Sequence, residues 1–214
     1  MARQTREAIL AAARELFIAQ GYVATTIEQI ADRAGVSKPT VFASVGSKRA
    51  VFKELRNVAV AGDDLPVPVR ERPWYREALD EPDPRRSLRL HARNMVRMHQ
   101  RYADLHDVLR AGAGADLELR ELWNTAERER RAGAGFIVDA LIRKEPLKAG
   151  LDRESATDLL WALTSAETFQ RLAGTGRWGI DRYQTWLGQT FIDQLLPTDR
   201  CGADVCHTPL SSPG

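Results

Sequence analysis

Few residues in this chain have the type and spacing to do bond-making chemistry. Cys201, Cys206 and His207 stand close together in CGADVCHTPLSSPG and could ligate a metal or act as a thiol pair. They lack the paired C-x2-C spacing of structural zinc sites, and two cysteines are not a disulfide framework. The other three histidines, His91, His99 and His106, form no metal motif, although His99 and His106 would share a face on an unbroken helix. No Gly-x-Ser-x-Gly, phosphate loop or His-Glu-x-x-His occurs. The expectation is a chain that is not an enzyme, with no cofactor and no bound metal.

A different chemistry, hydrogen bonding and charge without catalysis, is concentrated in SKPTVFASVGSK at residues 37–48. Ser37 is suited to cap a helix, Pro39 fits its first turn, and Gly46 stops it. A helix this short is unstable alone in water, so its neighbours must hold it. Val41 and Val45, four apart, can face inward. That leaves Ser37, Lys38, Pro39 and Thr40 at the leading end, with Phe42 and Ser44 further along. In a helix-turn-helix the second helix enters the DNA major groove with its N-terminal residues on the base edges. The hydroxyl of Thr26 and the ammonium of Lys48, each at a helix start, are placed for phosphates.

The elements that would position these groups follow from helical spacing. Ile9, Ala12, Ala13, Leu16 and Phe17 form one apolar face ending at Gly21. Thr25 with Glu28 three residues later reads as a capping box for a second helix, which Gly35 ends. Ser47 caps a fourth helix carrying Val51, Phe52 and Leu55. Between Gly62 and Pro84 a proline-rich connector has room for one helical turn at residues 74–79. Four long periodic segments follow, at 85–112 with a break near Tyr102, 115–145, 152–173 and 180–196. Strand signals are nearly absent. The fold expected is all-α with about nine helices: a helix-turn-helix domain at 1–46, a linking helix at 47–61, a ligand-binding and dimerisation domain at 62–197, and a disordered tail at 198–214.

Of the 214 residues 43% are apolar, enough for a core. The net charge is +2, but the first 60 residues carry nine Lys and Arg against five Asp and Glu, net +4, and the remainder is net −2. A basic leading unit on a slightly acidic body suits a polyanion partner for that unit alone. No apolar run is long enough to span a membrane and the start lacks a secretory signal, which places the chain in the cytoplasm with no membrane partner.

The run from Thr5 to about Leu55 resembles the DNA-binding domain of the TetR family of bacterial transcriptional regulators. The matching residues are Ala13, Leu16, Phe17, Gly21, Tyr22, Thr25, Thr26, Ile30, Ala31, Ala34 to Ser37, Thr40, Ser47 and Lys48. The resemblance implies an all-α homodimer in which three small helices bind double-stranded DNA and a fourth joins them to a body with a small-molecule pocket. It also implies that two C-terminal helices form a four-helix bundle with the partner. Three positions depart from the family pattern: Phe42 where Tyr is usual, Ser44 where His or Tyr is frequent, and Val45 where Phe is usual. The missing Tyr hydroxyl removes a usual phosphate contact, while residues 42 and 45 are expected to keep a role in apolar packing.

In the body, His91, Met95, Met98 and Tyr102 fall in a narrow arc that could line a pocket for a partly apolar effector, with Trp123, Phe136 and Trp161 as aromatic walls. An ordinary core face has the same pattern. For dimerisation, Leu159, Ala162, Leu163, Ala166 and Phe169 repeat at helical spacing, as do Tyr183, Leu187, Thr190, Phe191 and Leu195. The expected function is that of a ligand-responsive regulator, a repressor that binds a palindromic operator as a homodimer and is released by a small molecule. Two other readings remain open: a helical ligand-binding or protein-interaction module with impaired DNA binding, and a thiol or metal sensor built on Cys201 and Cys206.

Overall fold

The structure is a computed structural model that describes residues 2–198; Cys201, Cys206, His207 and the expected tail from residue 199 on lie outside the described residues. Among the described residues there are ten α-helices and no strand. The leading part comprises α1 (Ala2–Ala24), α2 (Ile27–Ala34), α3 (Lys38–Ser44) and α4 (Lys48–Ala61). Within α1, Gly21 at φ 81 and ψ 168 interrupts the helix where the apolar face was expected to end. Most residues would be strained at that positive φ, and glycine is not.

Side chains satisfy the exposed N–H groups at each start. Thr26, Ser37 and Ser47 cap α2, α3 and α4. The capping box at α2 lies one residue later than expected, with Thr26 and Gln29 replacing Thr25 and Glu28. Thr25 instead turns its hydroxyl to Gly21 O at 2.8 Å. Adjacent threonines, each followed three residues later by an acid or amide, leave the choice to the tertiary position of the turn.

Beyond Gly62 come α5 (Pro73–Asp80), α6 (Pro84–Gly112), α7 (Leu117–Ile142), α8 (Arg153–Leu163), α9 (Ala166–Phe169) and α10 (Ile180–Leu195). The break expected near Tyr102 does not occur. α6 runs unbroken for 29 residues, about 44 Å at the standard rise. It is the spine of the molecule, packing against α1, α4, α5, α7, α9 and α10. The break occurs instead in the segment expected to be continuous from 152 to 173. There Thr164 ends α8, Ser165 caps α9, and a π turn follows at Gln170–Gly174.

Two apolar cores form. The first is built on Phe17, Tyr22 and Phe52, whose rings stack or meet edge to face at 5.2 to 5.6 Å. It takes in Ile30, Val41 and Leu55, then continues into Leu105 and Leu109 of α6 and Leu119 and Leu122 of α7. The second joins Leu88, Met95, Val138, Leu141, Leu160 and the inner face of α10.

That inner face corrects the expected dimer surface. Tyr183, Leu187, Phe191 and Leu195 are fully buried against α6 within one chain, and Ala166 and Phe169 are buried as well. The repeat was assigned to a second copy, whereas within one chain α6 covers it, since periodicity does not tell an intrachain neighbour from a second copy. Leu159, Leu163 and Thr190 are half-buried and Ala162 is exposed, so these four remain at the surface.

Candidate nucleic-acid interface

The recognition surface is set by a tight turn. Gly35 adopts the left-handed conformation (φ 67, ψ 32), and its N–H and that of Val36 return to the last carbonyls of α2: Gly35 N to Asp32 O at 3.2 Å, and Val36 N to Ala31 O at 3.0 Å. This closure turns the chain sharply enough for Ser37 to open α3 only three residues after α2 ends. Ser37 Oγ then accepts from Thr40 N at 3.3 Å and lies 2.7 Å from Thr40 Oγ1. Val41 is fully buried and anchors the helix, while Val45 packs half-buried on the same core.

Ser37, Lys38, Pro39, Phe42 and Ala43 are exposed, and Thr40 and Ser44 are half-buried. The leading residues expected to meet DNA therefore share one accessible surface. Phe42 corrects the expectation of apolar packing, because it is 48% exposed. It follows Val41 by a single 100° step and turns away from the core that Val41 enters. An exposed phenyl ring on this surface is suited to the methyl group of thymine.

The cations of this surface are already engaged. Lys38 is ion-paired with Glu28 on the first turn of α2, and Arg33 with Glu15. Lys48 Nζ donates to Tyr22 O at 3.0 Å and Thr25 O at 2.9 Å and sits 4.3 Å from the centre of the Tyr22 ring. Partial burial lowers its pKa, with Asp116 opposing. Lys48 is thus a clamp that holds the start of α4 to the turn between α1 and α2. Thr26 is likewise occupied: its hydroxyl accepts from Gln29 N at 3.2 Å, and its own N–H donates to Gln29 Oε1 at 2.9 Å. Glu28, Tyr22 and Gln29 were not among the expected site residues. The ten-residue separation of Glu28 and Lys38 gives no sign of contact until the turn folds.

Residues 9–55 match the family described as "Bacterial regulatory proteins, tetR family". The uncharacterized HTH-type transcriptional regulator YdeS of Bacillus subtilis is 31% identical over 174 residues, covering 80% of each chain. The chain belongs to the TetR family. The HTH-type transcriptional activator FasR of Mycolicibacterium smegmatis is 43% identical over 49 residues, 23% of this chain and 22% of FasR. Among solved structures, NalD, described as the secondary repressor of the MexAB-OprM multidrug efflux pump in Pseudomonas aeruginosa, shares the fold with a TM-score of 0.64 and 24% identity, over 92% of this chain and 98% of NalD. The chain is a TetR-family transcriptional regulator with a helix-turn-helix DNA-binding unit, and none of its helices is long and apolar enough to cross a membrane among the described residues.

In the body of this TetR-family chain the expected ligand stripe is packed in the interior. His91, Met95, Met98 and Tyr102 are all buried. They line neither of two surface cavities, one of ≈ 270 Å³ beside Arg76, Phe136 and Arg143, the other of ≈ 230 Å³ beside Arg89 and Ile192. Phe136 thus stands away from the stripe. The stripe also divides. Met95 and Met98 belong to the second core and Tyr102 to the first, while His91 packs on Phe191 at 5.7 Å.

What the structure does bring together is Tyr102, His106 and Trp123, with His106 at 5.8 Å and 5.1 Å from the two rings. His106 faces Glu167 and Asp107 at 3.8 and 3.9 Å. Trp161 joins from α8: its Nε1 donates to Glu127 Oε2 at 3.2 Å, and Arg130 lies over its ring at 4.9 Å. His99 Nε2 donates to Thr164 O, 3.1 Å away, where α8 ends. The Nδ1 atoms of His91, His99 and His106 are buried without a hydrogen-bond partner. Burial pushes the His91 pKa down to about 4 and that of His99 to about 3. Burial also lowers His106, against Glu167, Glu127 and Asp107, which raise it.

Proposed function

We propose that the chain is a ligand-responsive transcriptional repressor that binds a palindromic operator as a homodimer and leaves it when a small molecule binds the body. Residues 1–46 would read DNA, 47–61 link, and 62–197 bind the effector and the second copy. The observation that carries this reading is the exposed leading end of α3, held by Val41, the Gly35 turn and the Lys48 clamp in the geometry a major groove accepts.

The dimer is proposed to form on the surface left open on α8 and α10, where Leu159, Ala162, Leu163, Trp186 and Thr190 stay exposed or half-buried. The two-fold symmetry of such a pair matches a palindrome. For the effector, the partly buried polar cluster of Tyr102, His106, Trp123, Glu127 and Trp161 lies beside α4, and the unpartnered Nδ1 of His106 offers a hydrogen bond. A molecule that binds there must favour the conformation unable to bind DNA, or it releases nothing.

Selection of bound duplexes from a random DNA pool, followed by titration of the recovered sequence at two salt concentrations, tests the reading. The expected result is a palindrome whose half-sites are about one helical turn apart, or slightly more, bound with steep salt dependence. Recovery of no preferred sequence would overturn it and favour a helical module with an inactive DNA head.

A further inference from the structure

On the helix-turn-helix, the cation best placed to reach bases is held by a carboxylate of the same unit. Lys38, the first residue of α3, is ion-paired with Glu28 on the first turn of α2, and both side chains are about half-exposed at 49% and 57%. Lys38 lowers the Glu28 pKa, chiefly through their hydrogen bond, so the carboxylate is ionised at neutral pH. Two neighbouring cations are also engaged, Arg33 by Glu15 and Lys48 by two backbone carbonyls. A surface that meets a polyanion therefore presents Lys38 with its charge already neutralised by Glu28.

From this arrangement we infer that Glu28 is a specificity-determining residue, which holds Lys38 back from phosphates and leaves its remaining protons for base edges. On arbitrary DNA the available partners are phosphates, and an ammonium drawn to them leaves Glu28 as an unpaired anion facing the backbone. That opposes the counterion-release contribution on which non-specific binding depends. In the right major-groove site a base acceptor such as guanine O6 or N7 engages Lys38 without separating it from Glu28. An ammonium has three protons and serves both at once. The pair thus lowers affinity for every wrong sequence more than for the right one, which is discrimination by an introduced repulsion. This rests on the proposed DNA-reading function.

The test is Glu28→Gln, which keeps size and removes the charge, made both alone and with Lys38→Ala. Binding of the selected operator and of a random duplex is measured across a salt series, with melting temperature as the control for folding. The expected result is that Glu28→Gln binds random DNA about three- to tenfold more tightly, and that its salt slope steepens by about one unit as Lys38 is freed for a phosphate. Operator affinity changes less, so the ratio between the two falls. In the Lys38→Ala background the gain on random DNA shrinks. An unchanged ratio in the single variant, or an equal gain in both backgrounds, would overturn the inference. If the unaltered protein bound neither duplex in a salt-sensitive way, the DNA-reading proposal itself would fail, an outcome separate from the first two.

Discussion

The two ends of this molecule bury different kinds of chemistry. In the helices that hold the recognition surface, the interior is an aromatic trio of Phe17, Tyr22 and Phe52 with aliphatic neighbours, and the one fully buried polar side chain, Thr25, is hydrogen-bonded. In the body the interior includes His91, Asn94, His99 and His106, several with unpartnered ring or amide atoms. The reader's unpartnered buried atoms, Arg14 Nη1 and Arg56 Nε, belong to long charged side chains outside the aromatic trio, and an apolar core of this kind fixes one arrangement. A partly satisfied polar interior stores a cost that a proton or ligand can change. The contrast suits a rigid reader attached to an adjustable body, with α6 running through both cores.

The strongest way to break the comparison is Phe52→Ala. Phe52 is fully buried and touches both other rings, so the change should cost about 3–5 kcal/mol. Because α6 contributes to both cores, the expected outcome in chemical denaturation is one cooperative transition shifted as a whole. Two separated transitions would show that reader and body are energetically independent.

Smaller, and confined to the body, is the effect of acid. His91 and His99 are neutral in the fold, with pKa values pushed down to about 4 and about 3 from the ordinary 6.5. Between those limits the unfolded chain takes up protons that the folded chain refuses. Stability therefore falls as pH drops from about 6.5 towards 3, by on the order of 3–4 kcal/mol for each histidine. Denaturation measured at several pH values should show this slope, and His99→Gln should flatten it. A slope untouched by that substitution would place the acid sensitivity elsewhere.

How much of this was legible in the sequence depended on whether the deciding contact was local. Ser37, Gly35 and Pro39 signalled α3 and its turn because caps and turns act over a few residues of chain. The boundary at Thr164–Ser165 was missed because apolar spacing continues across it, although Ser165 carries a capping hydroxyl. On α10, Tyr183, Leu187, Phe191 and Leu195 were recognisable as one apolar face, while the identity of α6 as their partner was a tertiary fact. The packing role expected of Phe42 was carried over from the family pattern, and only the orientation of α3 shows it to be exposed. Glu28 beside Lys38 depends on how α2 and α3 cross, and no spacing rule covers two helices joined by a turn.

Lys48 sharpens the comparison at the smallest scale, because it belongs to the reader yet works as part of its scaffold. Its type and position at the start of α4 suggest a phosphate contact, and one ammonium proton remains for that after Tyr22 O and Thr25 O are served. Lys48→Met keeps much of the length and removes both bonds. The side chain is only partly buried, so the expected cost is about 1–2 kcal/mol, measured by chemical denaturation. Duplex binding should weaken to a similar degree on operator and random DNA, since the clamp sets the angle of the whole unit and reads no base. A loss of affinity with stability unchanged would return Lys48 to the role of a simple phosphate contact. A loss of stability with affinity intact would mean that the turn between α1 and α2 is held well enough by Thr25 and the Thr26–Gln29 box.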